Sequence, residues 1–149
     1  MSGGEVSLRE ITRETLGPIL QLKVAATQQR FVASNAVSIA QAHFHPETAW
    51  FRGIYAGEEP VGFVMLEINR ATPEYSLWRL MIDEAQQGKG YGRKAMKAVI
   101  DHVRMLDGAR ELLTSVVPGE GSPGPFYQSL GFAFTGEVSE GEHVMRLEL

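Results

Sequence analysis

Leu77-Trp78-Arg79-Leu80-Met81-Ile82-Asp83-Glu84-Ala85-Gln86-Gln87-Gly88-Lys89-Gly90-Tyr91-Gly92-Arg93 joins a nearly apolar run to a glycine-rich turn. The run belongs to a strand expected over 74–82, and it lacks the alternation of a half-solvated strand. It is therefore expected at the centre of a sheet, with both faces covered. Beyond the glycines, Tyr91, Ala95, Met96, Val99, Ile100, Val103 and Leu106 recur at helical spacing, so a helix is expected over 90–106. Glycines allow φ > 0 and a close approach of backbone to ligand. The free N–H groups of a first helical turn, with the helix dipole behind them, favour a phosphate. Lys89 and Arg93 add positive charge beside that place. Two common phosphate loops do not fit. Gly-x-x-x-x-Gly-Lys-Ser/Thr is absent, and Gly88, Gly90 and Gly92 alternate instead of following Gly-x-Gly-x-x-Gly after a first strand. On the residues alone, the turn is either a pyrophosphate cradle or a plain strand-to-helix connection.

The flanking chain supplies the rest of a sheet. A strand is expected over 5–11. Thr12 then caps a helix in which Leu16, Ile19, Leu20 and Val24 share a face and Pro18 falls early. A second helix is expected over 37–44, with Ala36, Ile39, Ala40 and His43 on one face and Pro46 ending it. Strands over 50–56 and 60–68 form a hairpin around Gly57-Glu58-Glu59. After the long helix come a strand over 111–117, a glycine- and proline-rich loop over 119–125, and a short helix over 126–130 stopped by Gly131. A last hairpin over 132–138 and 142–149 turns at Ser139-Glu140-Gly141. The order β-α-α-β-β-β-α-β-α-β-β describes a single α/β domain over 1–149, with 1–4 a flexible tail.

Bulk properties remove several function classes. A chain of 149 residues fits one domain with a real core. The net charge of −4 argues against a broad basic face for nucleic acid. There is no cysteine, so disulfides, thiolate metal sites and cysteine nucleophiles are excluded. No apolar run approaches a membrane span, and the start lacks a secretory pattern, so the cytoplasm is the default location. His43 and His45 are two apart and share no helical face, so no metal site is expected. His102 is expected on the exposed side of the long helix, and Trp50 and Trp78 in the core.

Two motifs give the glycine turn a more specific reading. Gln87-Gly88-Lys89-Gly90-Tyr91-Gly92 resembles the Arg/Gln-x-x-Gly-x-Gly/Ala signature of the GNAT superfamily of N-acetyltransferases. Phe126-Tyr127-Gln128-Ser129-Leu130-Gly131-Phe132 resembles that family's second signature, an aromatic-Tyr pair followed by Leu-Gly-Phe, and a strand separates the two as in the family. The resemblance implies the GNAT fold, a mixed and mostly antiparallel twisted sheet flanked by helices. It implies acetyl-CoA as cosubstrate and no metal. The backbone of Gln87, Gly88, Lys89, Gly90, Tyr91 and Gly92 would hold the pyrophosphate with Arg93 beside it, and Phe126 would lie against the cofactor. Met81, Ile82 and Asp83 would contact the pantetheine arm in a gap beside a bulged strand, and one of their N–H groups would stabilise the oxyanion. Tyr127 would protonate the departing thiolate. The family's asparagine and alanine ahead of the tyrosine fall on Glu120 and Pro123, so Ser122 or backbone groups are expected to substitute. The glutamate that some relatives use as base falls on Trp78, which leaves Glu74 and Glu67 as candidates.

The whole-chain pattern is similar to bacterial diamine or spermine/spermidine acetyltransferases at Phe31-Val32-Ala33-Ser34-Asn35, at Tyr55 with Pro60-Val61-Gly62-Phe63-Val64-Met65, and at Arg79-Leu80-Met81-Ile82-Asp83. That implies a small amine acceptor, with Gln28, Gln29, Phe31, Asn35 and Glu74 as candidate lining; a plain interhelical loop with a cap explains the first four equally well. Family members often form homodimers through the last strands. A non-catalytic CoA-binding protein and an enzyme acting on a peptide N-terminus are the alternative readings.

Overall fold

The computed structural model describes residues 5–149; the tail read at 1–4 lies outside the described residues. Along the chain run β1 (Val6–Arg9), α1 (Arg13–Gln21), α2 (Asn35–His43), β2 (Ala49–Ala56), β3 (Glu59–Asn69), β4 (Glu74–Ile82), α3 (Tyr91–Arg104), β5 (Glu111–Val116), α4 (Gly124–Ser129), β6 (Ala133–Ser139) and β7 (Glu142–Glu148). Short 3-10 turns fill Ala26–Gln28 and Glu84–Gln86. The strands form one sheet in the order β1-β2-β3-β4-β5-β7-β6. Among the described residues only β4 and β5 pair in parallel, because α3 carries the chain back to the starting end between them. The predicted element order is the observed one, and β4 takes the central place expected of its apolar run.

Each face of the sheet has its own core. Tyr91, Ala95, Met96, Val99 and Val103 form the buried stripe of α3, packed on Val64, Leu66, Leu77 and Leu112. On the opposite face, Ile19 of α1 and Ala42 of α2 cover Tyr55, Phe63, Met65 and Met81. Gly62 makes the β3–β4 contact close: a Cβ there would collide with the Met81 carbonyl oxygen. The last hairpin closes on Glu140 (φ 51°) and Gly141 (φ 80°), two left-handed residues as a two-residue turn of this twist requires.

Several local expectations change. α2 begins at Asn35, since Ser34 Oγ accepts from Val37 N at 3.2 Å and so caps it earlier than expected. Its buried face is Asn35, Ser38 and Ala42, while Ala36, Ala40 and His43 point outward. The polar face is inward because Asn35 Nδ2 donates to Ile19 O at 2.9 Å, satisfying a carbonyl near the end of α1. Pro18 stands past the middle of α1 rather than early, and that helix ends at Gln21. His102 is half-buried: its ring stacks on Trp50 at 4.6 Å, and burial followed by the charges of Arg52 and Arg70 holds its pKa below the usual imidazole value. No helix of the described residues is long and apolar enough to cross a membrane.

Candidate active site

The central strand does not stay covered along its length. β4 and β5 pair only at Ser76↔Leu113, and Thr114 Oγ1 reaches Leu77 O at 3.3 Å where they part. Beyond this point β4 has no strand neighbour on that side among the described residues. Its register with β3 also slips, from Met65↔Arg79 to Leu66↔Leu77, leaving Trp78 as the extra residue of a bulge. The packing shows the slip directly. Leu77, Leu80 and Ile82 pack toward the α3 core, whereas Trp78 and Met81 pack toward α1 and α2.

The ladder then determines which backbone groups are free. Asp83 N donates to Val61 O at 2.8 Å, in register with Gly62↔Ile82 and Phe63↔Met81. Antiparallel strands alternate, so Asp83, Met81 and Arg79 face β3, and Leu80 and Ile82 turn their N–H and C=O into the gap. The gap opens into a cavity of about 670 Å³ lined by both strands, the glycine turn, the α1–α2 loop and α4.

The turn at one end of the cavity has the backbone its glycines allow. Gly88 (φ 82°) and Gly90 (φ 83°) are left-handed, and a Cβ on either would meet nothing within 4 Å. Gly90 caps α3 and Gly92 lies in its first turn against Ile82 and Phe126, so the opening N–H groups of α3 face the cavity without side chains in the way. Gln87 braces the turn, with Nε2 donating to Ile82 O at 2.9 Å and to Gln28 Oε1 at 2.8 Å. Arg93 is tied to α4 through Ser129 Oγ at 2.7 Å.

Tyr127 enters from α4. Its ring is edge-on to Phe126 at 5.3 Å and to Phe132 at 5.5 Å, which uses the aromatic and Leu-Gly-Phe positions of its motif as packing. Only 6% of the residue is exposed, and burial holds the phenol pKa well above its ordinary value, so the hydroxyl is a standing proton donor. Ser122 Oγ accepts from Gly124 N at 3.3 Å at the start of α4 and also lines the cavity. The loop before α4 touches the α1–α2 loop through Arg30 Nη2 on Glu120 O at 3.3 Å.

Of the residues singled out from sequence, Tyr127, Met81, Ile82, Gln87, Gly88, Gly90, Tyr91, Gly92, Arg93, Ser122, Phe126, Gln28 and Phe31 line this one cavity. Asp83 does not. Its carboxylate accepts from Lys23 N at 3.0 Å and Ala85 N at 3.2 Å, and its own N–H is spent on β3. Lys89 turns to Gln86 Oε1 at 2.9 Å. Asn35 is buried between Ile19 O and Met81 Sδ and borders a smaller neighbouring pocket. Glu74 and Glu67 sit at the far end of their strands, exposed and away from the cavity. Sequence reasoning did not reach Arg79, Leu80, Thr114, Ser115 or Glu142, which also line it. The resemblance implied a bulged strand, but nothing in the uniformly apolar run says which residue bulges, and Glu142 comes from a distant hairpin.

Comparison with known proteins finds a family and a shared fold. Residues 11–132 match the model of the Acetyltransferase (GNAT) family. A spermine/spermidine N(1)-acetyltransferase of Bacillus subtilis (strain 168) is 31% identical over 157 aligned positions, covering 97% of this chain and 99% of the relative. The fold is shared with an acetyltransferase from Thermus thermophilus (TM-score 0.78, 21% identity, 100% of both chains). It is also shared with the spermidine N-acetyltransferase of Vibrio cholerae in complex with CoA and spermine (TM-score 0.73, 19% identity, 97% of this chain and 95% of that one).

Proposed function

The chain belongs to the acetyltransferase (GNAT) family and is an N-acetyltransferase that draws on acetyl-CoA; we propose that its acceptor is a primary amine of a small polyamine. The observation that carries the reading is the joining, in one cavity, of the glycine turn, the gap-facing groups of Leu80 and Ile82, and the buried Tyr127 phenol. The left-handed turn and the first N–H groups of α3 suit a pyrophosphate. The unpaired edge of β4 suits an amide-bearing arm lying as an extra strand. Acetyl-CoA supplies the thioester. The Leu80 and Ile82 N–H groups are the donors this strand offers to the oxygen that gains charge under attack. Tyr127 gives its proton to the departing sulfur. A phenol near ~10 is a weaker acid than a thiol near ~8.5, and burial widens the difference, so its service is a hydrogen bond that completes transfer as the sulfur leaves. The amine must arrive neutral. Neither Glu67 nor Glu74 lines the cavity, so in this reading water takes the proton.

The polyamine acceptor is supported by the name of the Bacillus relative and by the spermine complex of the Vibrio protein. The same reading takes the enzyme as cytoplasmic, in keeping with a chain that has no cysteine. It also takes the enzyme as a homodimer, with β6, exposed at all seven residues, as the available edge. The test is release of free thiol from acetyl-CoA in the presence of spermidine, spermine, diamines, arylalkylamines, aminoglycosides and peptide N-termini. Turnover with the polyamines is expected. Turnover confined to peptides or aryl amines, or none at all, overturns the polyamine assignment.

A further inference from the structure

The cavity lining carries two arginines, Arg79 and Arg93, and one carboxylate among the described residues. Arg93 stands at the glycine turn, and Glu142 is the only carboxylate among the described lining residues. Glu142 opens β7, and its Oε1 accepts from Ser115 Oγ at 3.0 Å. Ser115 follows Leu113, the last residue of β5 to pair with β4, by two positions, so it stands across the gap from Trp78 and Arg79. Alternation along β5 puts Leu112, Thr114 and Val116 on the buried α3 side and Ser115 on the other, the side walled by α1 and α2. A fixed carboxylate therefore faces the part of the cavity away from the pyrophosphate end.

That carboxylate is held but not used up. No described residue donates to Oε2, and Glu142 forms no salt bridge. Arg79, the cation facing it, is committed elsewhere. Its Nη1 donates to Trp78 O at 3.0 Å, its Nη2 to Gln41 Oε1 at 2.9 Å, and its buried Nε has no partner. Burial lowers the guanidinium pKa while the charge of Glu142 raises it, which places the two within electrostatic reach of each other. Trp78 and Phe31 also line the cavity, with the Arg79 guanidinium 5.7 Å from the Trp78 ring centroid and that of Arg30 4.4 Å from the Phe31 ring centroid.

We infer that Glu142 sets acceptor specificity by binding a second ammonium group of the acceptor, the one that is not acetylated. This rests on the polyamine reading and deepens it: the substrate class becomes amines with a further cation within reach of the reacting nitrogen. The charge of Arg79, within electrostatic reach of Glu142, opposes the approach of that cation. A monoamine of the same length gains nothing from Glu142.

The experiment is steady-state kinetics of wild type, Glu142→Gln and Arg79→Gln with spermidine and with a monoamine of matched length, together with acetyl-CoA affinity. Loss of one charge-assisted hydrogen bond in a partly buried site corresponds to a rise of about tenfold to a hundredfold in KM for spermidine. For Glu142→Gln the expected result is that rise, with kcat, monoamine KM and acetyl-CoA Kd near wild type. For Arg79→Gln, spermidine KM falls, because a competing charge is gone. Equal effects of Glu142→Gln on both amines, no effect on either, or a fall in kcat at constant KM overturns the assignment, as does a higher spermidine KM in Arg79→Gln. If wild type turns over spermidine and Glu142→Gln matches it, only the Glu142 assignment falls. If wild type turns over no polyamine, the reading beneath it falls as well.

Discussion

Tyr127 combines a buried ring with a hydroxyl at a cavity wall, and the two properties serve one purpose. Aromatic packing on Phe126 and Phe132 leaves the phenol little freedom, and burial opposes its ionisation. The phenol therefore stays protonated through the neutral range, as the proposed role in transfer requires. Tyr127→Phe keeps the packing and removes only the donor, so kcat is expected to fall by about 10²–10⁴ with acetyl-CoA affinity and Tm near wild type. Stability should follow the same group. Its folded pKa is raised above the unfolded value of ~10, so this contribution is complete below that pH and is lost as pH rises beyond it. Urea melts of wild type and Tyr127→Phe across the alkaline range should diverge only above that value. Tyr127 was legible because its motif is local and contiguous. Asn35 was not, because its placement depends on Ile19 O, sixteen residues back.

At the scale of elements, the decisive event is the parting of β4 from β5 after a single pairing, with a bulge at Trp78 on the other side. The bulge moves the strand's alternation by one. Leu77 shares a face with Leu80 and Ile82, not with Met81. The resemblance implied that Met81, Ile82 and Asp83 would all offer backbone groups to the cofactor, but the register turns those of Met81 and Asp83 to β3. Amide hydrogen exchange is the direct check. Leu80 and Ile82 should exchange fast in the free protein and slow markedly with CoA, while Met81 and Asp83 should be protected in both states. Equal protection of all four in the free protein would show that the gap is closed. The glycine turn and α3 needed no such help, since φ > 0 at Gly88 and Gly90 and the stripe from Tyr91 to Val103 are local properties.

Across the whole molecule, the site exists only because separate parts meet: the α1–α2 loop, both inner strands, the α3 start, α4 and the tip of β7. A ligand touching all of them should stabilise the domain as one unit. At a hundred times its Kd, acetyl-CoA is expected to add about 2.7 kcal/mol, a Tm rise of roughly 5–10 °C for a domain of this size. Calorimetry should show a single transition moving with ligand concentration; a fixed transition beside a moving one would mean that the loops and hairpin melt apart from the sheet. The order of elements, the central place of the apolar strand, the left-handed turn at the head of a helix and the aromatic-tyrosine motif are legible in the chain, because each follows from periodicity or from chemistry within a few neighbouring residues. Which groups of β4 face the gap, and that Glu142 joins the cavity while Glu74 does not, follow from long-range folding. Those outcomes depend on register and bulge, and both are set by pairing between strands far apart in the chain.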